Sequence, residues 1–490
     1  MGAVARLSCV IVLAALYALA TAVLVAHGLR LLGLSFARLT TSPEPLAPEA
    51  GIAWPRVCVQ LPVYNEPAVV ERAVAALGAL DYPDLEIQVL DDSTDSTPQR
   101  AARAVRDLNA SGVRATHIRR DNREGFKAGA LANGMTHTDA DLFAIFDADF
   151  LPEPGTLRQL VSALVAAPEA AFAQARWAHL NRDASPLTRA QGALLDLHFG
   201  VEQTGRQRTG RFLPFNGTAG VWRREAIEAA GGWRGDTLAE DLDLSLRAWM
   251  GGARGVFVEP LAVPAELPAD LAAWRTQQAR WAEGMAAVTL LHARGVLRAR
   301  QPLALRLRAL LAISASFSFP ALLAVIVLHP VLAVAQALGT GPGETFFTAL
   351  GAGWLGLIGA VVAHVVAQRA IGPAPQTSSL WRRIGDLGLG LAAPVALAMT
   401  GTRAVGRAVL GKQTAFVRTP KGGARREASV SRAEVALAAY ALGAAAVLVA
   451  VGAWVALAFQ IVFAATLAVS AWREGNERGD PLPRPIPASR

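Results

Sequence analysis

Two aspartates one residue apart, Asp147 and Asp149, close the apolar run FAIFDADFLP at 143–152. A carboxylate is costly to bury without a partner, so a pair at the end of a buried strand asks for a ligand. If the extended chain continues through them, strand alternation sends both side chains to one face. Such a pair suits a hard divalent cation, Mg2+ or Mn2+, which completes its shell with substrate phosphate oxygens. The competing reading is an ordinary turn, where aspartate is common.

The elements around the pair decide between these readings. VCVQLPV (57–63), EIQVL (86–90), VRATHI (113–118), DLFAIF (141–146) and AAFAQARW (170–177) read as short apolar strands separated by helical stretches. Near-continuous apolar strands alternating with helices predict an α/β domain with a mostly parallel sheet. Ligands of such sheets bind outside the carboxyl ends of the strands. The polar clusters fall there: YNE after the first strand, DDSTD after the second, DAD after the fourth.

The chain as a whole has 490 residues, 53% hydrophobic and 18% charged, with a net charge of +8. That balance predicts a soluble domain joined to membrane helices. In so apolar a chain the basic excess points to positive cytoplasmic loops rather than nucleic acid. Residues 8–29 are long enough to span a bilayer. Arg30 and Arg38 follow this run, against Arg6 before it, which favours a cytoplasmic continuation. Further spans are expected at 309–337 and 345–368, with two more in 434–472 around a turn near Gly452. Residues 384–411 carry Asp386, Pro394, Arg403 and Arg407. Eleven Lys or Arg stand against two acids over 366–433. The positive-inside rule therefore predicts an interfacial or re-entrant element there. The expected division is a first span and linker (1–54), a cytoplasmic domain with an interface helix (55–305), two spans and the interfacial element (306–411), a cytoplasmic loop (412–433), two spans (434–472) and a disordered tail (473–490). Cys9 and Cys58 read as small core residues without a disulfide.

The motifs follow in a fixed order: LPVYNE, VLDDSTD, GFKAGAL, FDADF, FNGTAGVWR, AEDLDLSLR and QQARW. Together they resemble glycosyltransferase family 2 with the GT-A fold, in the processive membrane branch that includes cellulose synthase. The likeness is strongest to the cellulose synthase-like A and C proteins, which make β-mannan or β-glucan backbones, and it covers about residues 55–290. The resemblance implies roles at matching positions. Tyr64 and Glu66 would hold the nucleotide base and ribose, and Asp91 or Asp92 the nucleoside. Lys127 and Arg280 would meet the donor diphosphate, and Asp147 and Asp149 the metal. Asp241, with Glu240 beside it, would be the general base of an inverting transfer. Ala239 departs from the usual Thr of that motif. Trp281 and Gln277 would face the acceptor sugar, with Asn216 and Gly217 as the floor beneath it. In FVRTPKGG, Thr419 and Lys421 resemble a gating loop that touches the bound nucleotide, although Arg418 replaces an aliphatic residue.

Each motif also has a plain reading. Asn65 or Glu66 would sit near a helix cap, DDSTD would form an Asx turn, and Lys127 would be solvated. Glu240 and Asp241 would favour a helix N-terminus. Trp274, Gln277, Gln278, Trp281 and Met285 share one helical face, which suits an amphipathic helix on a membrane surface. The expected protein is an integral, multi-pass inner or plasma membrane enzyme with a cytoplasmic catalytic domain. Its donor would be UDP-glucose or GDP-mannose, and its acceptor a glycan or a lipid. The alternatives are single-sugar transfer to a membrane lipid, as in ceramide glucosyltransferase, and a non-catalytic scaffold or transporter.

Overall fold

The computed structural model describes residues 2–42, 51–372, 379–412 and 432–476. Seven strands form one sheet: β1 (Val57–Val63), β2 (Leu85–Asp91), β3 (Arg114–Arg119), β4 (Leu142–Ile145), β5 (Ala170–His179), β6 (Gly220–Arg223) and β7 (Arg254–Ala265). Their order is β3-β2-β1-β4-β6-β5-β7. Only β6 runs against its neighbours β4 and β5, so the sheet is mostly parallel, as the α/β GT-A reading requires.

Alternation along β1 divides the core. Val57, Val59, Leu61 and Val63 pack on one face with the helices Val70–Gly78 and Thr156–Val165. Cys58 joins Phe143, Ile145, Phe172 and Trp222 on the other, under the helices Phe126–Met135 and Glu240–Met250. Helices on both faces leave the carboxyl ends of β1, β2 and β4 open at one edge.

Two strands escape the sequence pattern. β6 has four residues, and β7 holds Pro260 and Pro264 in twelve, a composition that argues against a strand interior. The strand before the aspartate pair also ends earlier than expected. β4 stops at Ile145, and the Phe150 amide donates to the Asp147 carbonyl at 3.0 Å. Asp147 and Asp149 therefore lie on a turn, not on a continuing strand.

Five helices among the described residues are long and apolar enough to cross a membrane: Ser8–Thr40, Leu303–Ala337, Glu344–Ala370, Leu380–Val409 and Arg432–Ala450. Large apolar side chains such as Leu19, Leu355 and Val447 face outward, the surface that lipid covers, so this is a membrane protein. The set differs from the expected one. Helix Trp454–Asn476 follows a turn at Gly452 (φ +70), where the last expected span lies. Residues 380–409 form one unbroken helix through Pro394, not a re-entrant element. Both of its ends are tied to residues 182–298. Arg382 pairs with Asp183 and Asp386 with Arg189 at the start, and Arg407 with Glu283 at the end. The helix thus joins residues 182–298 to the helices Leu303–Ala337 and Arg432–Ala450, on which its Val395 and Ala398 pack. Trp274 is buried between helices with Ala393 and Leu397, and so is not a membrane-surface anchor. Cys58 is buried as expected, but Cys9 is exposed on the first helix.

Candidate active site

Three loops at the strand ends build one side of the site. After β1, Asn65 takes a left-handed conformation (φ +55). Its amide donates to Ser93 Oγ at 2.8 Å, and its Oδ1 accepts from the Thr94 amide at 2.8 Å, which ties the first loop to the second. Glu66 is buried nearby. The two aspartates after β2 have different duties. Asp91 is fully buried, accepting from the Ser93 amide at 2.8 Å and pairing with His117 at 2.9 Å. Burial pushes its carboxyl up, but those bonds outweigh it and hold the group below the usual range. Asp92 instead pairs with the Arg120 guanidinium, which also donates to the carbonyls of Glu124 and Phe126. The 119–126 loop is thereby pinned, and its Arg123 lies flat over the Tyr64 ring at 3.3 Å from the centroid.

Lys127 is the hub. Its ammonium lies 2.6 Å from Asp147 Oδ1, 2.9 Å from the Gly217 carbonyl and 3.9 Å from Glu240 Oε1. Burial alone would lower its pKa, but Asp147, Glu240 and Asp241 hold it above the ordinary value. The Asp147 amide donates to Thr218 Oγ1 at 2.9 Å, so the FNGT loop positions the acidic turn. Arg280 completes the charge cluster. Burial lowers its pKa, and Glu240, Asp147, Asp241 and Asp149 all pull the other way. Four carboxylates and two cations from four separate segments therefore converge on one place.

Asp147 and Asp149 offer hard oxygen donors beside an ammonium that already marks the spot as cation-binding. Among the described residues no group of three or more His, Cys, Asp or Glu could hold a metal alone. The pair fits a cation that takes its remaining ligands from a diphosphate and water.

Asp241 opens the helix Glu240–Met250, and its Oδ1 accepts from the Leu242 amide at 2.8 Å. Burial and the neighbouring Glu240 push its carboxyl up to about 7, against the pull of Lys127. Acting as the expected general base, Asp241 would work only when deprotonated. The kcat/KM profile should therefore fall as pH drops through about 7, far above the ordinary aspartate range. A pH–rate series on the purified chain checks this. Ala239, where related motifs carry Thr, has a packing reason: a Cβ built on Gly284 would stand 2.8 Å from the Ala239 Cβ. Two small residues let the helix Leu271–Arg298, which carries Gln277, Arg280 and Trp281, press against the acidic pair.

Gly217 is required twice over. Its φ is +81, and an added Cβ would stand 2.9 Å from Asp241 Oδ2. Gly217→Ala should cost about 1–3 kcal/mol of backbone strain and displace the Asp241 carboxylate. The expected result is at least a roughly tenfold loss of kcat, since small misplacements at a reacting centre are costly, measured beside thermal unfolding.

Trp281, next to Arg280, joins an aromatic cluster. Trp281 lies 6.2 Å from Trp177, which packs at 5.3 Å on both Phe150 and Phe199. Asn216 is braced from behind: its amide donates to Gln174 Oε1 at 2.6 Å, and its Oδ1 lies 3.3 Å from both His198 Nε2 and Gln203 Nε2. His198 pairs with buried Glu202 at 2.9 Å, and Glu202 with Arg30 of the first helix at 2.5 Å. The membrane helix is thus connected to the floor of the site. Arg120, Arg123, Trp177, His198 and Thr218 were not foreseen. The charged run RRDNREG reads as solvated, and only the fold brings its arginines to Tyr64 and Asp92. Thr419 and Lys421 lie outside the described residues.

Residues 55–284 match the family described as "Glycosyltransferase like family 2". Glucomannan 4-beta-mannosyltransferase 7 of Arabidopsis thaliana is 43% identical over 245 residues, 49% of this chain and 44% of the relative. Glucomannan 4-beta-mannosyltransferase 1 of Oryza sativa subsp. japonica is 43% identical over 246 residues, 49% of this chain and 47% of the relative. The chain spans about half the length of the curated relatives it matches. A mannosyltransferase from Pyrobaculum calidifontis, solved in complex with GDP-Man and Mn2+, shares the fold. Its TM-score is 0.50 at 20% identity, covering 82% of this chain and 100% of that one.

Proposed function

Because residues 55–284 are a domain of the glycosyltransferase-like family 2, we propose that this chain is an inverting, metal-dependent glycosyltransferase. It moves a hexose from a nucleotide sugar to the end of a growing β-linked glycan. The observation that carries the reading is the convergence of Asp147, Asp149, Glu240 and Asp241 with Lys127 and Arg280 at the open edge of the sheet.

Asp241 takes the proton of the acceptor hydroxyl as that oxygen bonds to the anomeric carbon. The bond from the anomeric carbon to the diphosphate oxygen breaks, and the electron pair leaves with the nucleoside diphosphate. Lys127 and Arg280 offset the charge that builds on this leaving group. Asp147 and Asp149 would hold a divalent cation, Mg2+ or Mn2+, which supplies further charge neutralisation to the diphosphate when bound. Trp281, stiffened by Trp177, gives the acceptor sugar an aromatic face, and Asn216 and Gly217 form its floor. Tyr64, Glu66 and Asp92 serve the nucleoside, with Asp91 bracing the loop from beneath. The curated relatives' names favour mannose over glucose.

The positive-inside rule supports a cytoplasmic domain, since Arg30 and Arg38 follow the apolar run of the first helix, at the end that pairs with the domain's Glu202 and Glu259. Helix Leu380–Val409 packs beside Leu271–Arg298. Helices packed in this way could guide a growing chain across the membrane. Purified protein in nanodiscs, given radiolabelled nucleotide sugar, tests processivity. Long products inside the lipid boundary support polymer synthesis and export. Products of one sugar on lipid would instead make it a lipid glycosyltransferase.

A further inference from the structure

The base-binding loop holds an arginine whose position bears on which nucleotide is used. The Arg123 guanidinium carbon lies 3.3 Å from the Tyr64 ring centroid and 5.0 Å from that of Phe126. It covers one face of the Tyr64 ring, a surface large enough for a nucleotide base to stack on. The backbone on either side is fixed, because Arg120 grips Asp92 and the carbonyls of Glu124 and Phe126. A base stacking on that face would meet the Arg123 guanidinium, which would then lie at the edge of the base. Phe126 bounds the same space, and Asp92 is close enough to act on the Arg123 charge.

We propose that Arg123 reads the donor base and selects guanine over uracil. The inference rests on the donor-site reading above. Guanine presents two adjacent acceptors, O6 and N7, whose spacing matches the paired N–H groups of a guanidinium. Uracil has no such pair, because its O4 stands between an N–H and a C–H. Asp92 complements the same choice. A carboxylate keeps acceptor capacity beyond its bonds to Arg120, and guanine offers N1–H and N2–H donors beside O6. Tyr64 supplies stacking that any base accepts. Selectivity and affinity thus come from different side chains.

Calorimetric titration of the full chain in nanodiscs with GDP and with UDP, each with Mg2+, tests the assignment. The wild type should bind GDP at least about tenfold more tightly than UDP, the scale of one bidentate arginine–guanine contact. Arg123→Ala should remove most of that difference by weakening GDP while leaving UDP within about twofold. Arg123→Lys keeps the charge and loses the fork, so it should behave like Arg123→Ala. Tyr64→Ala should weaken both nucleotides alike. UDP preference in the wild type, or equal weakening of both nucleotides by Arg123→Ala, would overturn the proposal. Failure of the wild type to bind either nucleotide would overturn the donor site itself and this assignment with it.

Discussion

Asp241→Asn is expected to lower kcat by about 10²–10⁴-fold, the usual contribution of a positioned general base, while nucleoside diphosphate affinity changes little. The substitution is close to isosteric. The amide oxygen can still accept from the Leu242 amide, now met at 2.8 Å by Asp241 Oδ1, so the start of the helix should hold. What is lost is the carboxylate proposed to take the acceptor proton. Removing this carboxylate also relieves its repulsion with Glu240, so the variant should be no less stable than the parent. A fall in kcat with normal unfolding and normal nucleotide binding separates catalysis from helix capping. The inflection near pH 7 should vanish with it.

The second large effect concerns the acidic turn. Asp147→Asn with Asp149→Asn should reduce turnover by about 100-fold or more, since charge neutralisation at the leaving group is worth several kcal/mol. It should also abolish the dependence of nucleotide binding on Mg2+ or Mn2+. Lys127 loses its 2.6 Å partner in this variant but keeps the Gly217 carbonyl and Glu240. Metal-independent binding should therefore survive. Titrating the nucleotide with and without EDTA reads the two contributions separately. Unchanged metal dependence in the double variant would place the cation elsewhere.

Much of this site was legible in the chain, for physical reasons. β1 is a continuous apolar run that both faces of a covered sheet demand, and its bounds at Val57–Val63 match the expected ones. The acids that need a partner stand at strand ends, where parallel sheets keep their ligands. What sequence pattern missed depends on tertiary geometry. Alternation placed Asp147 and Asp149 on one strand face, but the chain turns at Asp147, and Thr218 from a distant loop sets that turn. β6 is too short to show a period, and the prolines of β7 disguise it. Arg123 looks like any surface cation in a charged loop until the fold lays it on Tyr64. Trp274 shares a helical face with Trp281, yet the Leu380–Val409 helix covers it. A face read from one helix says nothing about a second helix that packs on it.

The most direct test of the account is donor turnover by the purified full chain in nanodiscs. Radiolabelled GDP-mannose and UDP-glucose are supplied separately with Mg2+ or Mn2+, and Asp241→Asn is run alongside. The wild type should release a nucleoside diphosphate and incorporate hexose into a β-linked product. Linkage analysis should identify that product, and the variant should form almost none. Wild-type protein that consumes neither donor, or an Asp241→Asn variant as active as its parent, would contradict it.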